Sequence, residues 1–146
     1  MLVRIRKALI SDSDFFYNLK NNPLNRKFSF NNEKIKPQSH KKWFKNNLKK
    51  RNKILLVAYL NRAHPIATIR YDVQKSLALV SIIIEKKFRG KGYGVKILKK
   101  SEKFLKKGMV IISKVKKKNQ NSVKVFMKNN YFITSDKTYI TLMKLL

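Results

Sequence analysis

Residues 79–94 read Leu-Val-Ser-Ile-Ile-Ile-Glu-Lys-Lys-Phe-Arg-Gly-Lys-Gly-Tyr-Gly, an apolar strand that leads straight into a glycine-rich turn. A helical pattern from Val95 to Lys107 follows without a break. A strand, a glycine turn and a helix start in that order leave unpaired backbone N–H groups at the positive end of a helix dipole, which is a pocket for phosphate oxygens. The turn lacks the Gly-Lys-Ser/Thr of a Walker loop, and its glycines do not fall at the G-x-G-x-x-G spacing of a dinucleotide fold.

The other elements follow from local pattern. Val3 and Ile5 alternate with Arg4 and Arg6 as a first strand, and Ser11 or Asp12 is placed to cap a helix through Leu19. Asn21-Asn22-Pro23 ends that helix, and residues 23–36 read as polar and irregular. Pro37 opens a second helix, carrying Trp43, Phe44 and Leu48, that closes near Lys50. Strands are predicted at Ile54–Leu60, Ile66–Val73 and Leu77–Glu85, with a turn at Asn61-Arg62-Ala63. After the glycine-loop helix come a strand at Met109–Val115, a helix at Asn119–Asn129, and strands at Tyr131–Thr134 and Tyr139–Leu145. The order β-α-α-β-β-β-α-β-α-β-β implies an α/β fold: a mixed sheet of about seven strands flanked on both faces by about four helices.

With 146 residues and 43% hydrophobic content, the chain is the size of one globular domain spanning 1–146. No apolar run approaches the roughly 18–20 residues of a membrane span, and the N-terminus reads as a strand rather than a signal peptide. The absence of cysteine excludes disulfides, thiolate metal sites and a cysteine nucleophile, and a cytoplasmic location is the plain expectation. No cluster has metal-ligand spacing, so no metal is expected. The formal net charge of +29 points to attraction for polyanions such as RNA, DNA or acidic membrane surfaces. It equally fits a compositional origin, because lysine outnumbers arginine 29 to 7 and is spread over the whole chain apart from short clusters at 49–51 and 116–118.

Two segments carry a family resemblance. Arg89, Gly92 and Gly94 stand at the spacing Arg-x-x-Gly-x-Gly, and Asn119, Ser122, Phe126, Lys128 and Tyr131-Phe132 stand in a second pattern, N-Q-N-S-V-K-V-F-M-K-N-N-Y-F. These motifs, with the order of elements along the whole chain, resemble the GCN5-related N-acetyltransferases (GNAT). The usual glycine of the second motif is Asn130, which tolerates a left-handed backbone. The tyrosine that many members use to protonate the leaving thiolate falls at Phe126, leaving solvent, or a hydroxyl such as Tyr131 or Tyr93, for that role. H-K-K-W-F at 40–44, P-I-A-T-I-R-Y-D at 65–72 and V-S-I-I-I at 80–84 resemble the members that acetylate nucleotide-linked 4-amino-6-deoxysugars, including those of pseudaminic-acid biosynthesis. Protein and ribosomal-protein acetyltransferases share these short motifs, and a non-catalytic nucleic-acid-binding module on the same fold is a third reading.

The resemblance implies acetyl-CoA as cofactor, a small-molecule amine as partner, and a homodimer as one assembly common in the family. It places the pyrophosphate on Phe88, Arg89, Gly90, Lys91, Gly92, Tyr93 and Gly94. Pantetheine falls along Ile82, Ile83 and Ile84, with Asn119, Ser122 and Phe126 nearby, and the N–H of Ile82 or Ile83 is expected to polarise the thioester. The family glutamate base falls near Ser76, which leaves His40, Glu85, Asp72 or water to accept the amine proton. His40, Trp43, Arg70 and Ser81 are the expected acceptor contacts, against alternative roles in packing, in an internal ion pair or as a solvated side chain.

Overall fold

A computed structural model describes residues 2–61 and 64–146; Arg62 and Ala63 of the expected turn lie outside the described residues. Seven strands form one sheet in the order β1-β2-β3-β4-β5-β7-β6. They are β1 (Val3–Lys7), β2 (Lys53–Leu60), β3 (His64–Gln74), β4 (Leu77–Ile84), β5 (Val110–Val115), β6 (Phe132–Ser135) and β7 (Ile140–Leu145). All neighbours are antiparallel except β4 and β5.

Five α-helices are described rather than four: α1 (Ser13–Asn21), α2 (Pro23–Phe28), α3 (Pro37–Leu48), α4 (Tyr93–Ser101) and α5 (Gln120–Lys128). The additional one is α2, in the segment expected to be irregular. Asn22 accepts a bond from the Leu24 N–H, and Pro23 fills the first turn, so the residues that stop α1 also start α2. Asp12 does not cap α1 by a side-chain bond. Its carboxylate accepts the Leu9 N–H at 2.7 Å, closing a 3-10 turn at Ile10–Asp12, and pairs with Arg6 at 2.6 Å. The glycine-loop helix ends at Ser101 and passes into a 3-10 turn at Glu102–Phe104, short of Lys107. Asn130 adopts φ 68, the left-handed conformation expected for it.

The sheet parity gives each face its own core. Leu55 and Val57 pack with Ala8, Phe16 and Phe44 beneath α1 and α3. Leu56, Ala58, Ile69, Tyr71, Ala78, Val80 and Ile111 pack on the opposite face with Ile97 and Leu98 of α4 and Val123 and Phe126 of α5. Helices α1 and α3 therefore cover β2 on their face, and α1 also reaches β4. Helix α2 and the residues after it reach the loops at one end of β5 and β7: Phe30 meets Tyr139 edge-on at 5.2 Å, and the Lys116 ammonium reaches the Lys27 carbonyl at 3.4 Å.

Asn21 fixes the far end of that segment. Its amide donates to the Ile35 carbonyl at 2.9 Å and accepts the Ile35 N–H at 2.8 Å, pinning together the two ends of the stretch that holds α2. Replacing Asn21 with Ala should cost about 1–2 kcal/mol, as two bonds to the backbone are lost. The check is the urea midpoint at unchanged m-value; an unaltered midpoint would show that the clamp contributes nothing.

Candidate active site

Strands β4 and β5 pair only through Leu77↔Val110, Ala78↔Ile111 and Leu79↔Ile112, then separate. Beyond that vertex β4 stays on β3 as far as Ala67↔Ile84, and β5 stays on β7 as far as Val115↔Ile140. The two strands thus open a wedge between them. In an antiparallel pair the backbone polar groups of alternate residues point towards the same neighbour. The Glu85 N–H donates to the Ile66 carbonyl, so Ile83 and Ser81 also address β3, whereas Ile82 and Ile84 turn their N–H and C=O into the wedge. This corrects the expectation for Ile83, whose amide is committed to the sheet; Ile82 is the residue with a free amide near the vertex. On β5 the same alternation, set by the Val110 N–H on the Ser76 carbonyl, turns Lys114 into the wedge.

The glycine loop lies at the wide end of the wedge. Gly90 and Gly92 have φ 72 and 81, and no atom lies within 4 Å of where a Cβ would stand on either. Both conformations suit glycine, and the space above them is open. Gly92 precedes the first turn of α4, and no side chain caps that helix, so its leading N–H groups face the opening. Gly94 acts differently: a Cβ there would meet Ile84 and Val125 at 3.1 Å, so its absence lets α4 settle against β4 and α5. Phe88 and Tyr93 pack edge-on at 6.3 Å beside the loop, and Lys91 is exposed. An uncapped helix N-terminus above an open loop, next to unpaired strand edges, fits a ligand with a diphosphate at one end and amides along its arm.

Arg89 is tied down at the wide end of the wedge. Its Nε donates to the Ile84 carbonyl at 2.8 Å, and its guanidinium also bonds the side chain of Asn25 on α2. Asn25 is buried and donates to the Leu19 carbonyl at 2.7 Å. Arg89 therefore ties the glycine loop to the α1–α2 junction, a link across 64 residues of sequence.

The second motif is divided between capping and core. The Asn119 side chain accepts the Ser122 N–H at 3.4 Å and caps α5, and Ser122 is half-buried behind it. Phe126 is 1% exposed and packs edge-on against Tyr131 at 5.0 Å, so its ring has no surface to offer a ligand; this corrects its place among the cofactor contacts. Tyr131 is buried too. Desolvation, with a further push from Glu102, drives its phenol pKa well above the ordinary value, which makes it a poor proton donor. Tyr93 stands at the mouth of the loop, half-buried.

On the α1/α3 side, register places Arg70 opposite Ser81 and Asp72 opposite Leu79. Ser81 is exposed on this face, and Leu79 at the vertex is 38% exposed. Asp72 holds Lys53 at 3.0 Å and Arg70 at 3.3 Å, so Arg70 sits in an internal ion pair. Glu85 meets Lys87 at 3.4 Å in an open pair at the strand end. His40 is buried rather than solvated: its Nε2 donates to the Ser13 carbonyl at 2.9 Å, and its ring stacks on Phe44 at 5.7 Å. Burial lowers its pKa and favours the neutral ring; the Ser13 bond opposes this, and the charge of Lys20 adds to the lowering. Trp43 joins the aromatic cluster and carries two cations over its ring, Arg70 at 5.7 Å and Lys20 at 5.5 Å. Lys20 was not foreseen, because nothing in its spacing separates it from 28 other lysines; only the fold brings it to Trp43.

The sequence model of the acetyltransferase (GNAT) family matches residues 15–131, and the chain belongs to that family. No curated protein matches it significantly. Among solved structures, it is similar to a GNAT-family acetyltransferase from Streptococcus pneumoniae at 18% identity, 99% coverage of both chains and a TM-score of 0.76. A spermidine N-acetyltransferase from Vibrio cholerae, in complex with CoA and spermine, superposes with a TM-score of 0.82 at 14% identity, covering 97% of this chain and 92% of that one. An aminoglycoside acetyltransferase in complex with coenzyme A gives the same score at 12% identity, covering 99% of this chain and 95% of that one. At such identities these likenesses establish the fold.

Gly92 and Gly108 make a matched pair, since both have positive φ and open space at the Cβ position, while Gly108 lies in the turn before β5. Valine at either should cost about 1–2 kcal/mol of backbone strain. Gly92→Val is expected to weaken acetyl-CoA binding at least tenfold by calorimetry, and Gly108→Val to leave it within twofold. Equal effects would show that the loop is not the phosphate cradle.

Proposed function

We propose that the chain is an acetyl-CoA-dependent N-acetyltransferase, a single domain whose acceptor is a primary amine, and that this amine is the 4-amino group of a nucleotide-linked 4-amino-6-deoxysugar. The observation that carries the reading is the wedge beside an uncapped, open glycine loop, where β4 leaves β5 after Leu79↔Ile112. The spermidine, aminoglycoside and phosphinothricin acetyltransferases of the same fold are named for amine acceptors, which supports the amine class.

The cofactor supplies an acetyl group as a thioester. The N–H groups of Gly90 to Gly94 and the α4 N-terminus hold its diphosphate. The edges of Ile82 and Lys114, and the N–H of Ile84, whose carbonyl is taken by Arg89, pair with the amides of its arm. The N–H of Ile82, close to the vertex, donates to the oxygen on which negative charge develops, and such a fixed donor is worth most where water is excluded. The acceptor lies on the face bearing Leu79, Ser81 and Ile83, bounded by Trp43 and by the segment after α2. Its amine must lose a proton before it can attack. Asp72, Glu85 and His40 remain the proposed proton acceptors, acting through water. Asp72 stands nearest the vertex, in register with Leu79, and is held there by Lys53 and Arg70. The leaving thiolate takes its proton from solvent or Tyr93, since Phe126 has none to give and Tyr131 holds its own.

Two measurements test this. Incubation with acetyl-CoA and a nucleotide-linked 4-amino-6-deoxysugar, at salt high enough to screen the net charge, should yield a product heavier by one acetyl group. Asp72→Asn is expected to lower kcat by about 100-fold with acetyl-CoA affinity retained, the usual scale of general-base catalysis. Binding of acetyl-CoA without transfer to any primary amine would sink the proposal.

A further inference from the structure

A cavity of about 300 Å³ opens between α1, α3 and the segment that joins α2 to α3, lined by Lys20, Ile35, Ser39, His40 and Trp43. Its charge does not balance. Lys20 is partly buried, and among the described residues no carboxylate lies within ion-pairing distance of it. The nearby acid is Asp72, already shared by Lys53 at 3.0 Å and Arg70 at 3.3 Å. Three cations thus attend one carboxylate around Trp43. Burial and the charge of Arg70 lower the pKa of Lys20, and the charge of Asp72 opposes them without reversing the shift, so the ammonium is held where its counter-charge is incomplete. Of the seven acidic residues in the chain, four are spent in ion pairs. The side chain of Asp14, on α1, is exposed.

We propose that this cavity is an anion subsite: it takes a phosphate or carboxylate group of the acceptor, with Lys20 supplying the charge, the Ser39 hydroxyl a hydrogen bond at the rim, and Trp43 the wall. The chain offers a reason for the placement. Arg70 stacks on Trp43 and stands opposite Ser81 on β4, so the cavity borders the face on which the acceptor approaches the vertex. The Asn21–Ile35 clamp holds its outer wall in place. The subsite selects acceptors that carry an anion as well as an amine and disfavours polycations, which would meet Lys20 and Arg70 with like charge. That this anion belongs to the acceptor rests on the transferase reading; that the cavity binds an anion does not.

Trp43 is the sole tryptophan of the chain, so intrinsic fluorescence reports on this cavity and not on the distant lysines or the glycine loop. The wild-type protein is titrated with inorganic pyrophosphate and, separately, with malonate, at constant ionic strength, and acetyl-CoA affinity is measured by calorimetry in parallel. The expected result is a saturable emission change with at least one probe, weakened at least tenfold in Lys20→Met and Lys20→Gln while both variants keep acetyl-CoA affinity within twofold. The probe that saturates tells a phosphate from a carboxylate. A non-saturating response in the wild type, or equal affinity in the Lys20 variants, would overturn the proposal, because one lysine among 36 cationic side chains cannot matter to diffuse attraction. Failure of wild-type acetyl-CoA binding beside an intact, Lys20-dependent signal would uphold the subsite and remove the transferase reading instead.

Discussion

Everything the site can do depends on the place where β4 and β5 stop pairing. Each strand has a longer partner on its far side: β4 runs with β3 over eight registered pairs, and β5 with β7 over six. The parallel contact between them, three pairs long, is the shorter pairing of both strands and the one that opens. Behind it Gly94 lets α4 close on Ile84 and Val125, which fixes the angle of the opening. The exposed edge is costly if left dry, since an unsatisfied buried peptide group costs about 1–3 kcal/mol. Under the proposed function, a ligand arm that carries amides would relieve that cost, and the glycine loop at the mouth would bind the charge at the other end of the same ligand.

The acceptor side is organised by electrostatics as much as by shape. A chain with 36 basic and 7 acidic residues must place its carboxylates where they do most. Asp12 locks Arg6 to the turn before α1, and Glu102 takes Lys144 at 2.7 Å beneath the end of α4. Asp72 holds two cations against the sheet. The region around Trp43 is left positive, which gives local meaning to a net charge that looks uninformative when averaged over the sequence. Arg89 adds a mechanical link: by bonding Asn25 it joins the glycine loop to α2.

What the sequence disclosed was local chemistry. The strand, glycine turn and helix start at 79–101 and the left-handed Asn130 each depend on a few adjacent residues, and each stands as expected. Helix α2 was hidden because its six residues carry no apolar period and bury only Asn25, while Asn22-Pro23 serves both as a stop and as a start signal. The site residues were legible as types but not as partners. Nothing near Arg89 in sequence shows that its guanidinium is spent on Asn25, and nothing near His40 shows the Ser13 carbonyl that occupies its Nε2. Likewise, the alternation that frees Ile82 and commits Ile83 follows only from the register with β3. Long-range pairing decides these roles, and a single sequence does not encode it in readable form.

The most direct test of the wedge is a residue-resolved NMR titration of amide resonances with acetyl-CoA at high salt. If the separation of β4 from β5 creates the cofactor site, the largest shifts fall on Ile82, Ile84 and Lys114 along the edges and on Gly90 to Gly94 at the loop, with Ile83 and Ser81 moving less. Shifts spread over the surface lysines, or centred away from β4 and β5, would contradict the account at its base.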